Sequence, residues 1–295
     1  MGGLAWMTRT HLTGTWKEQQ WPLGLPFFLY TLACFIAVAD AYDVSYSFES
    51  LKKLLEILIF FWIVNCVREN RLRDSLSLLL IVAATLAGLF GFFQALRDGL
   101  TLNTRVEGSF SVYMTFAGLL MIVGMSALGR ALFKKPREIT LWLPIFIIAG
   151  CLLLTLTRQA WLGFLMGLVF LIYTRKKVYL LALPFIVTLV ILVSPGEVKH
   201  RLENMASGKD FTFFQRVALW QGGWKIFNDH PLTGCGFRCV DLINSQYPDP
   251  TGYIKQIRGM HNNFVQLAVD TGLLGLTSWM GIWFCFFRLL YERSA

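Results

Sequence analysis

The chain has 295 residues, of which 55% are hydrophobic and 15% charged, and its formal net charge is +9. Soluble domains carry about 25% charged residues, so this composition argues against an ordinary soluble protein and predicts an all-α, polytopic membrane protein. The apolar runs are continuous rather than alternating, which argues against a transmembrane β-barrel. In a membrane protein the positive charge fits cytoplasmic loops and anionic lipid or substrate, so no nucleic-acid partner is predicted.

Eight apolar segments are predicted to cross the membrane as helices. In chain order they cover residues 23–40, 52–68, 76–96, 112–130, 139–156, 159–174, 178–194 and 263–288. The fifth and sixth are broken only by LTRQAW and together hold about 35 residues, or about 52 Å of helix, so a tight hairpin is predicted. Pro184 is predicted to kink the seventh. Before the first span, the polar N-terminus lacks the pattern of a cleavable signal peptide.

Lysine and arginine residues collect in alternate loops, which the positive-inside rule assigns to the cytoplasm. These residues are Arg68, Arg71, Arg73, Lys134, Lys135, Arg137, Arg175, Lys176 and Lys177, joined by Arg9, Lys17, Arg288 and Arg293 near the termini. The external side then holds residues 97–111, the turn at Arg158 and a long loop. The predicted organisation is therefore seven spans in 1–194, an external loop in 195–260 and a last span in 261–295, all within one membrane domain.

The external loop contains one predicted amphipathic helix, DFTFFQRVALWQGGWKIF, from Asp210 to Phe227. Asp210 or Thr212 is the expected N-terminal cap. The predicted helix lies at or near the membrane surface on its apolar side. That side is assigned to Phe213, Leu219, Trp220, Trp224 and Phe227.

Each of three arginines on the predicted external side has two possible roles. Arg158, between two apolar runs, either extends to the lipid headgroups or faces an anionic ligand, since a charge at that depth is costly without a partner. Arg216 is either on a solvated helix face or in a binding site. Arg105, in NTRVEGSFS, is either an ordinary loop charge or part of the same cationic site.

The stretch HPLTGCGF, from His230 to Phe237, is predicted to form a sharp turn because it contains a proline and two glycines. The amides of Gly234 and Gly236 are candidates to approach an oxyanion. Cys235 and the nearby Cys239 form a disulfide only if the loop faces an oxidising compartment. A zinc site made by these cysteines with His230 and His261 is disfavoured, because the spacing matches no standard pattern.

The last span opens with RGMHNNFVQLAVDTGLLGL, Arg258 to Leu276. Asn262, Gln266 and Asp270 are four residues apart and are predicted to form one polar stripe on a helix. His261 precedes this stripe at the helix N-terminus, where the helix dipole favours the neutral imidazole that a general base requires. The alternative is that His261 and Asn262 only cap and anchor the helix.

Four stretches together resemble the O-antigen ligase family of membrane glycosyltransferases, which includes O-antigen polymerases and protein O-oligosaccharyltransferases. They are RVEGSFSVYMTFAGLL, LTLTRQAWLGFLMGL, FQRVALWQGGWKIFNDHPLTGCGF and HNNFVQLAVDTGLLGL, within about residues 80 to 290. The resemblance implies that Arg158 and Arg216 hold a lipid pyrophosphate and that His261 is the catalytic base. Arg105 joins the cationic pocket, and Asn262, Gly234 and Gly236 are further candidates for substrate binding.

The resemblance also implies a reaction and a location. The expected donor is a glycan on undecaprenyl pyrophosphate, the expected acceptor is lipid A–core oligosaccharide, and no metal or cofactor is expected. The expected place is the bacterial inner membrane, with the active site facing the periplasm. A polymerase or a protein O-oligosaccharyltransferase with the same donor is the main alternative, and a transporter or a non-catalytic assembly protein is a more distant one.

Overall fold

A computed structural model describes residues 2–101, 104–134, 138–206, 211–248 and 251–294. Within these ranges the chain is helical and contains no β-strand, as the all-α prediction requires. The predicted positions Lys135, Arg137 and Asp210 lie outside the described residues.

The α-helices are α1 (Gly2–Thr13), α2 (Gly24–Ala39), α3 (Val44–Phe48), α4 (Glu56–Cys66), α5 (Asn70–Asp98), α6 (Tyr113–Phe133), α7 (Trp142–Leu154), α8 (Arg158–Arg175), α9 (Leu183–Val193), α10 (Gly196–Ala206), α11 (Phe211–Asp229), α12 (Val240–Ile243), α13 (Tyr253–Ile257) and α14 (Asn263–Ser294). Short 3₁₀ segments are Thr15–Glu18, Glu49–Leu55, Ile139–Leu141, Lys177–Ala182 and Asn244–Gln246. Every one of the eight predicted spans coincides with a helical segment.

Length and composition single out a smaller number of membrane-crossing helices. Three described helices are long and apolar enough to cross a membrane: Asn70–Asp98, Tyr113–Phe133 and Asn263–Glu292. Three further apolar segments are shorter, namely Gly24–Ala39, Ile139–Leu154 and Lys177–Val193. The chain is thus an all-helical membrane protein, while eight crossings and the external position of the long loop remain predictions.

The prediction that Pro184 kinks a helix is wrong. Pro184 lies in the first turn of α9, after the 3₁₀ segment Lys177–Ala182. Proline is tolerated there because the first N–H groups of a helix have no partner within that helix. It therefore begins α9 instead of bending it.

The described chain divides into two compact units, one made of Met1–Arg68 with Asp210–Ala295 and the other of Glu69–Lys209. In the second unit, α5 to α8 pack around one apolar core that includes Phe116, Leu120, Ile148 and Cys151. Glycines allow the close approach: a Cβ at Gly163 would lie 2.6 Å from Met121 Sδ. Such small residues at helix contacts are typical of membrane bundles.

Four charged side chains tie α5, α6 and the segment before α7 together in the second unit. Arg130 contacts Asp74 at 3.0 Å and Glu138 at 2.9 Å, and Lys134 contacts the same two carboxylates at 2.8 and 2.9 Å. Arg130 is mostly buried, with 11% of its side chain exposed. Charged side chains at that burial require paired partners, and this network supplies them.

In the first unit, α2 packs along the C-terminal part of α14, and α1 packs on α4. The second contact depends on small residues, because a Cβ at Gly2 would lie 2.7 Å from the Trp62 ring. Helix α1 was not predicted, since its mixed sequence has neither the length nor the apolar content of a span.

Helix α11 confirms a helix in the long loop, but its predicted apolar side is only partly correct. The buried residues are Leu219, Gly222, Gly223 and Ile226. Phe213 and Trp224, which were assigned to the same side, are 54% and 61% exposed. Two glycines occupy the buried face, so the helix packs there by close backbone approach, and Trp220 is the predicted aromatic residue that joins this contact.

Candidate functional site

Helix α14 is sharply bent at Gly272, where φ is 60° and ψ is −159°. The ring centroids of Phe264 and Trp279 lie 5.2 Å apart across this bend. In a straight helix these residues would be about 22 Å apart along the axis. The predicted last span, residues 263–288, is therefore interrupted at Gly272 and is not one straight helix. A first arm, 263–271, folds back beside a second arm, 273–294.

The HPLTGCGF turn supplies the backbone hydrogen bonds that the bend removes. The N–H groups of Leu273 and Leu274 donate to the carbonyl oxygens of Pro231 and Leu232 at 2.9 and 3.1 Å. In the other direction, the N–H groups of Cys235 and Gly236 donate to the carbonyl oxygens of Val269 and Asp270, at 2.9 and 3.1 Å. A helix broken at membrane depth needs its released backbone groups paired again, and this turn pairs four of them.

Glycine is required at three positions of this junction. Gly234 and Gly272 both have positive φ, and a Cβ at Gly234 would lie 2.5 Å from the backbone of Asp270. The N–H of Gly234 donates to the His230 carbonyl and that of Gly236 to the Asp270 carbonyl, both at 3.1 Å. In this arrangement neither amide is available to an oxyanion, and close packing accounts for both glycines.

The same turn is fastened to the segment after α2. Thr233 Oγ1 donates to Asp40 at 2.6 Å, and Tyr46 Oη donates to Asp241 at 2.7 Å. The second hydrogen bond raises the pKa of Tyr46 above its ordinary value, because losing the phenol proton would leave two negative oxygens in contact. The turn and helix α12, which follows it, are thus both tied to the segment after α2.

His261 lies immediately before the first arm of α14, and its side chain is exposed. Its backbone is in the left-handed region, with φ of 47°, a conformation that is uncommon for residues other than glycine and asparagine. Asn262 caps the arm, because its Oδ1 accepts from the N–H groups of Phe264 and Val265 at 2.9 and 3.4 Å. The capping alternative therefore describes Asn262, while His261 presents an imidazole at the helix N-terminus.

The predicted polar stripe forms a chain of hydrogen bonds. Gln266 Nε2 donates to Asp270 Oδ1 at 2.9 Å, and Gln266 Oε1 accepts from the N–H of Met260 at 2.9 Å. The Asn262 carbonyl accepts from the Gln266 N–H at 2.8 Å. Asp270 is buried, with 7% of its surface exposed. The stripe therefore ends at the backbone N–H of Met260, the residue before His261.

Helix α11 also contacts the backbone of Met260, at its carbonyl oxygen. Trp220 Nε1 donates to the Met260 carbonyl oxygen at 2.9 Å, and a Cβ at Gly223 would lie 2.7 Å from Met260 Sδ. Arg216 precedes Trp220 by four residues, so it lies one turn away on the same helix face. The contact from Trp220 thus joins the middle of α11 to the residue before His261.

In the second unit, Arg158 is the first residue of α8, directly after a tight turn. Thr155, Leu156 and Thr157 form the connection from α7, and all three are buried. Leu156 has a φ of 51°, an unfavourable conformation for a bulky residue. The predicted hairpin break is confirmed, and the helix N-terminus and the guanidinium both favour an anion there.

Arg105 lies at the same end of the second unit as Arg158. Its guanidinium carbon is 4.4 Å from the centroid of the Tyr113 ring at the start of α6, and the adjacent Val106 is buried in the core of the unit. A Cβ at Gly91 of α5 would lie 2.7 Å from Val106 and 2.5 Å from Cys151 of α7, so the segment that carries Arg105 packs near the end of α7 that leads into Arg158.

A groove of about 1030 Å³ runs between α11 and both arms of α14. Its lining is almost entirely apolar and includes Trp220, Trp224, Phe264, Ala268 and Leu276, with Lys225 among the few polar groups. Sequence reasoning missed this groove because it depends on the bend at Gly272. The signal for the bend was the pair of glycines in DTGLLG, which read as ordinary helix residues.

The two loop cysteines are joined to each other in a disulfide, with Cα atoms 5.7 Å apart, so they are not paired with the histidines. Across the described ranges, no three His, Cys, Asp or Glu side chains are grouped in a way that would hold a metal ion.

Comparison with known proteins gives one family. Residues 143–280 match the family model described as O-Antigen ligase, a range that runs from α7 into the second arm of α14. No curated protein matches the chain. Members of the matched family are membrane enzymes of O-antigen and glycan assembly. Residues 143–280 of this chain therefore carry a domain of the O-antigen ligase family.

Proposed function

We propose that this protein transfers a polysaccharide from undecaprenyl pyrophosphate to lipid A–core oligosaccharide at the periplasmic face of the bacterial inner membrane. The observation that carries the proposal is the position of His261 at the head of a helix arm, directly after Met260, whose backbone Trp220 and Gln266 hold. Arg216 lies one helical turn from Trp220 and supports the same assignment.

The proposed reaction is a direct displacement at the anomeric carbon. The acceptor hydroxyl oxygen forms the new bond to that carbon, and the bond from the carbon to the phosphate oxygen breaks. His261 takes the proton of the hydroxyl, and undecaprenyl pyrophosphate leaves with the bonding electrons. The anomeric configuration inverts because attack and departure occur on opposite faces.

The leaving group requires positively charged side chains, and arginine supplies them. Negative charge grows on the pyrophosphate as the bond breaks, and guanidinium groups bind phosphate with two parallel hydrogen bonds. Arg158 and Arg216 take this role in the proposal, with Arg105 as a further cation. The helix N-terminus at Arg158 adds backbone dipoles of the same sign. Asn262 contributes its side-chain amide nitrogen to substrate, since its carbonyl oxygen caps the arm.

A polymerase and a protein O-oligosaccharyltransferase would bind the same lipid-linked donor in the same way. The acceptor of the polymerase is a second lipid-linked repeat. A strain that lacks the gene separates these functions by the banding of its lipopolysaccharide. Loss of a ligase leaves bare core while lipid-linked polymer accumulates. Loss of a polymerase leaves core with one repeat, and an unchanged lipopolysaccharide with an underglycosylated protein would indicate protein glycosylation.

A further inference from the structure

The backbone of Met260 is held by side chains at both its N–H and its carbonyl oxygen. Its N–H donates to Gln266 Oε1 and its carbonyl oxygen accepts from Trp220 Nε1, both at 2.9 Å. Peptide groups outside regular structure more often pair with backbone or water. Met260 lies directly before His261 and has two side-chain partners. These partners fix the direction of the backbone at His261.

Gln266 itself is held by Asp270. The Gln266 amide donates from Nε2 to Asp270 Oδ1 at 2.9 Å, which turns its Oε1 toward Met260. Asp270 is buried, and the backbone carbonyl of the same residue accepts from the N–H of Gly236. The orientation of Gln266 therefore depends on the packed junction at the α14 bend.

His261 needs this support because its backbone conformation is unfavourable. A φ of 47° costs free energy for any residue with a Cβ, and it persists only where neighbouring contacts impose it. Met260 is fully buried while His261 is exposed. The buried residue is thus the anchor, and the imidazole projects from it.

We propose that Gln266 and Asp270 are positioning residues for His261, acting through the backbone of Met260, with Trp220 as the second support. The inference rests on the proposed function, in which His261 is the base. A base must stand within hydrogen-bond reach of the hydroxyl, and small displacements of a catalytic group reduce turnover strongly.

The test is a swap of the two hydrogen-bonding partners in the full-length protein in lipid nanodiscs. Gln266→Glu keeps the acceptor for Met260 but sets two carboxylates against each other, so kcat should fall by on the order of 10–100-fold. The KM for the lipid-linked donor should not change. Adding Asp270→Asn restores the pair in reverse, because the new amide donates to the new carboxylate, and kcat should recover. Gln246→Glu, on the exposed loop surface, is the matched control.

Two further variants separate this inference from the proposed function. In a His261→Ala background, Gln266→Glu should cause no additional loss, because the residue acts through the histidine. If Gln266→Glu fails to fold, Trp220→Phe provides the second measurement, since it keeps an aromatic side chain and removes the donor to Met260.

Three results would overturn the inference. They are a folded Gln266→Glu or Trp220→Phe enzyme with wild-type kcat, a folded double variant that does not recover, and a further loss from Gln266→Glu in the His261→Ala background. Wild-type activity in His261→Ala itself would refute the proposed base, and this inference with it.

Discussion

The rings of Phe264 and Trp279 lie 5.2 Å apart and nearly perpendicular, although fifteen residues separate them on what reads as one helix. The contact exists because α14 reverses at Gly272. Fifteen residues of straight helix would hold the two rings about four turns apart. The apolar groove and the placement of the first arm both follow from this reversal.

Gly272→Ala should destabilise the protein by about 1–3 kcal/mol, because alanine is strained at a φ of 60°. The new methyl group would also meet the Leu232 carbonyl. The control is Gly281→Ala in the second arm, where a Cβ has nothing within 4 Å. It should be neutral or stabilising by up to about 1 kcal/mol. Thermal unfolding in detergent compares the two, and equal midpoints would contradict the assigned bend.

His261→Ala should reduce glycan transfer by on the order of 100-fold or more, because a positioned general base contributes about that much. Membrane insertion and the unfolding midpoint should stay at wild-type values, since the His261 side chain is exposed. His11→Ala, exposed on α1, controls for loss of a histidine. Transfer from purified lipid-linked glycan to acceptor is the measurement, and full activity would remove the base assignment.

Arg158→Lys should lower transfer by on the order of 10-fold or more, because an ammonium cannot reproduce the two parallel hydrogen bonds of a guanidinium to phosphate. The comparison is Arg97→Lys, whose exposed partner is the adjacent Asp98. That variant should keep wild-type transfer. If Arg158→Lys also transfers at the wild-type rate, positive charge alone is sufficient at this position.

Acid should weaken the charge network of the second unit. Arg130 and Lys134 hold the pKa of Glu138 below its usual 4.5, so the ionised form stabilises the folded state. That contribution is complete above pH 4.5 and is lost as the pH falls through the lower, folded-state pKa. Glu138→Gln should therefore flatten the fall of the unfolding midpoint below pH 4.5. Glu292→Gln, in the exposed pair with Arg288, should leave that fall unchanged.

Chelation should not affect transfer, because the proposed chemistry uses arginine for the charge of the leaving group. Purified enzyme is assayed with and without EDTA, and then with added zinc or magnesium. A loss that metal restores would revive a metal-dependent mechanism. An intact rate agrees with His261 and the arginines as the working groups.

Sequence alone determined the features that depend on neighbours along the chain. The eight apolar segments, the break at LTRQAW, the helix in the long loop and the spacing of Asn262, Gln266 and Asp270 are all local patterns. Hydrophobic runs and four-residue spacing fix which residues share a helix face before any tertiary contact forms. The motif resemblance was readable for the same reason, and the family match confirmed it.

Tertiary structure decided what distant segments do to one another. The bend at Gly272 is stable because backbone groups of the Pro231–Gly236 turn, about forty residues earlier, take over its hydrogen bonds. The contact from Trp220 to Met260 spans forty residues, and the contact from Arg130 to Asp74 spans fifty-six. A local pattern carries no information about such partners. Composition therefore indicated a membrane protein, and residue spacing indicated a polar stripe. Only the fold showed that this stripe ends at the residue before His261.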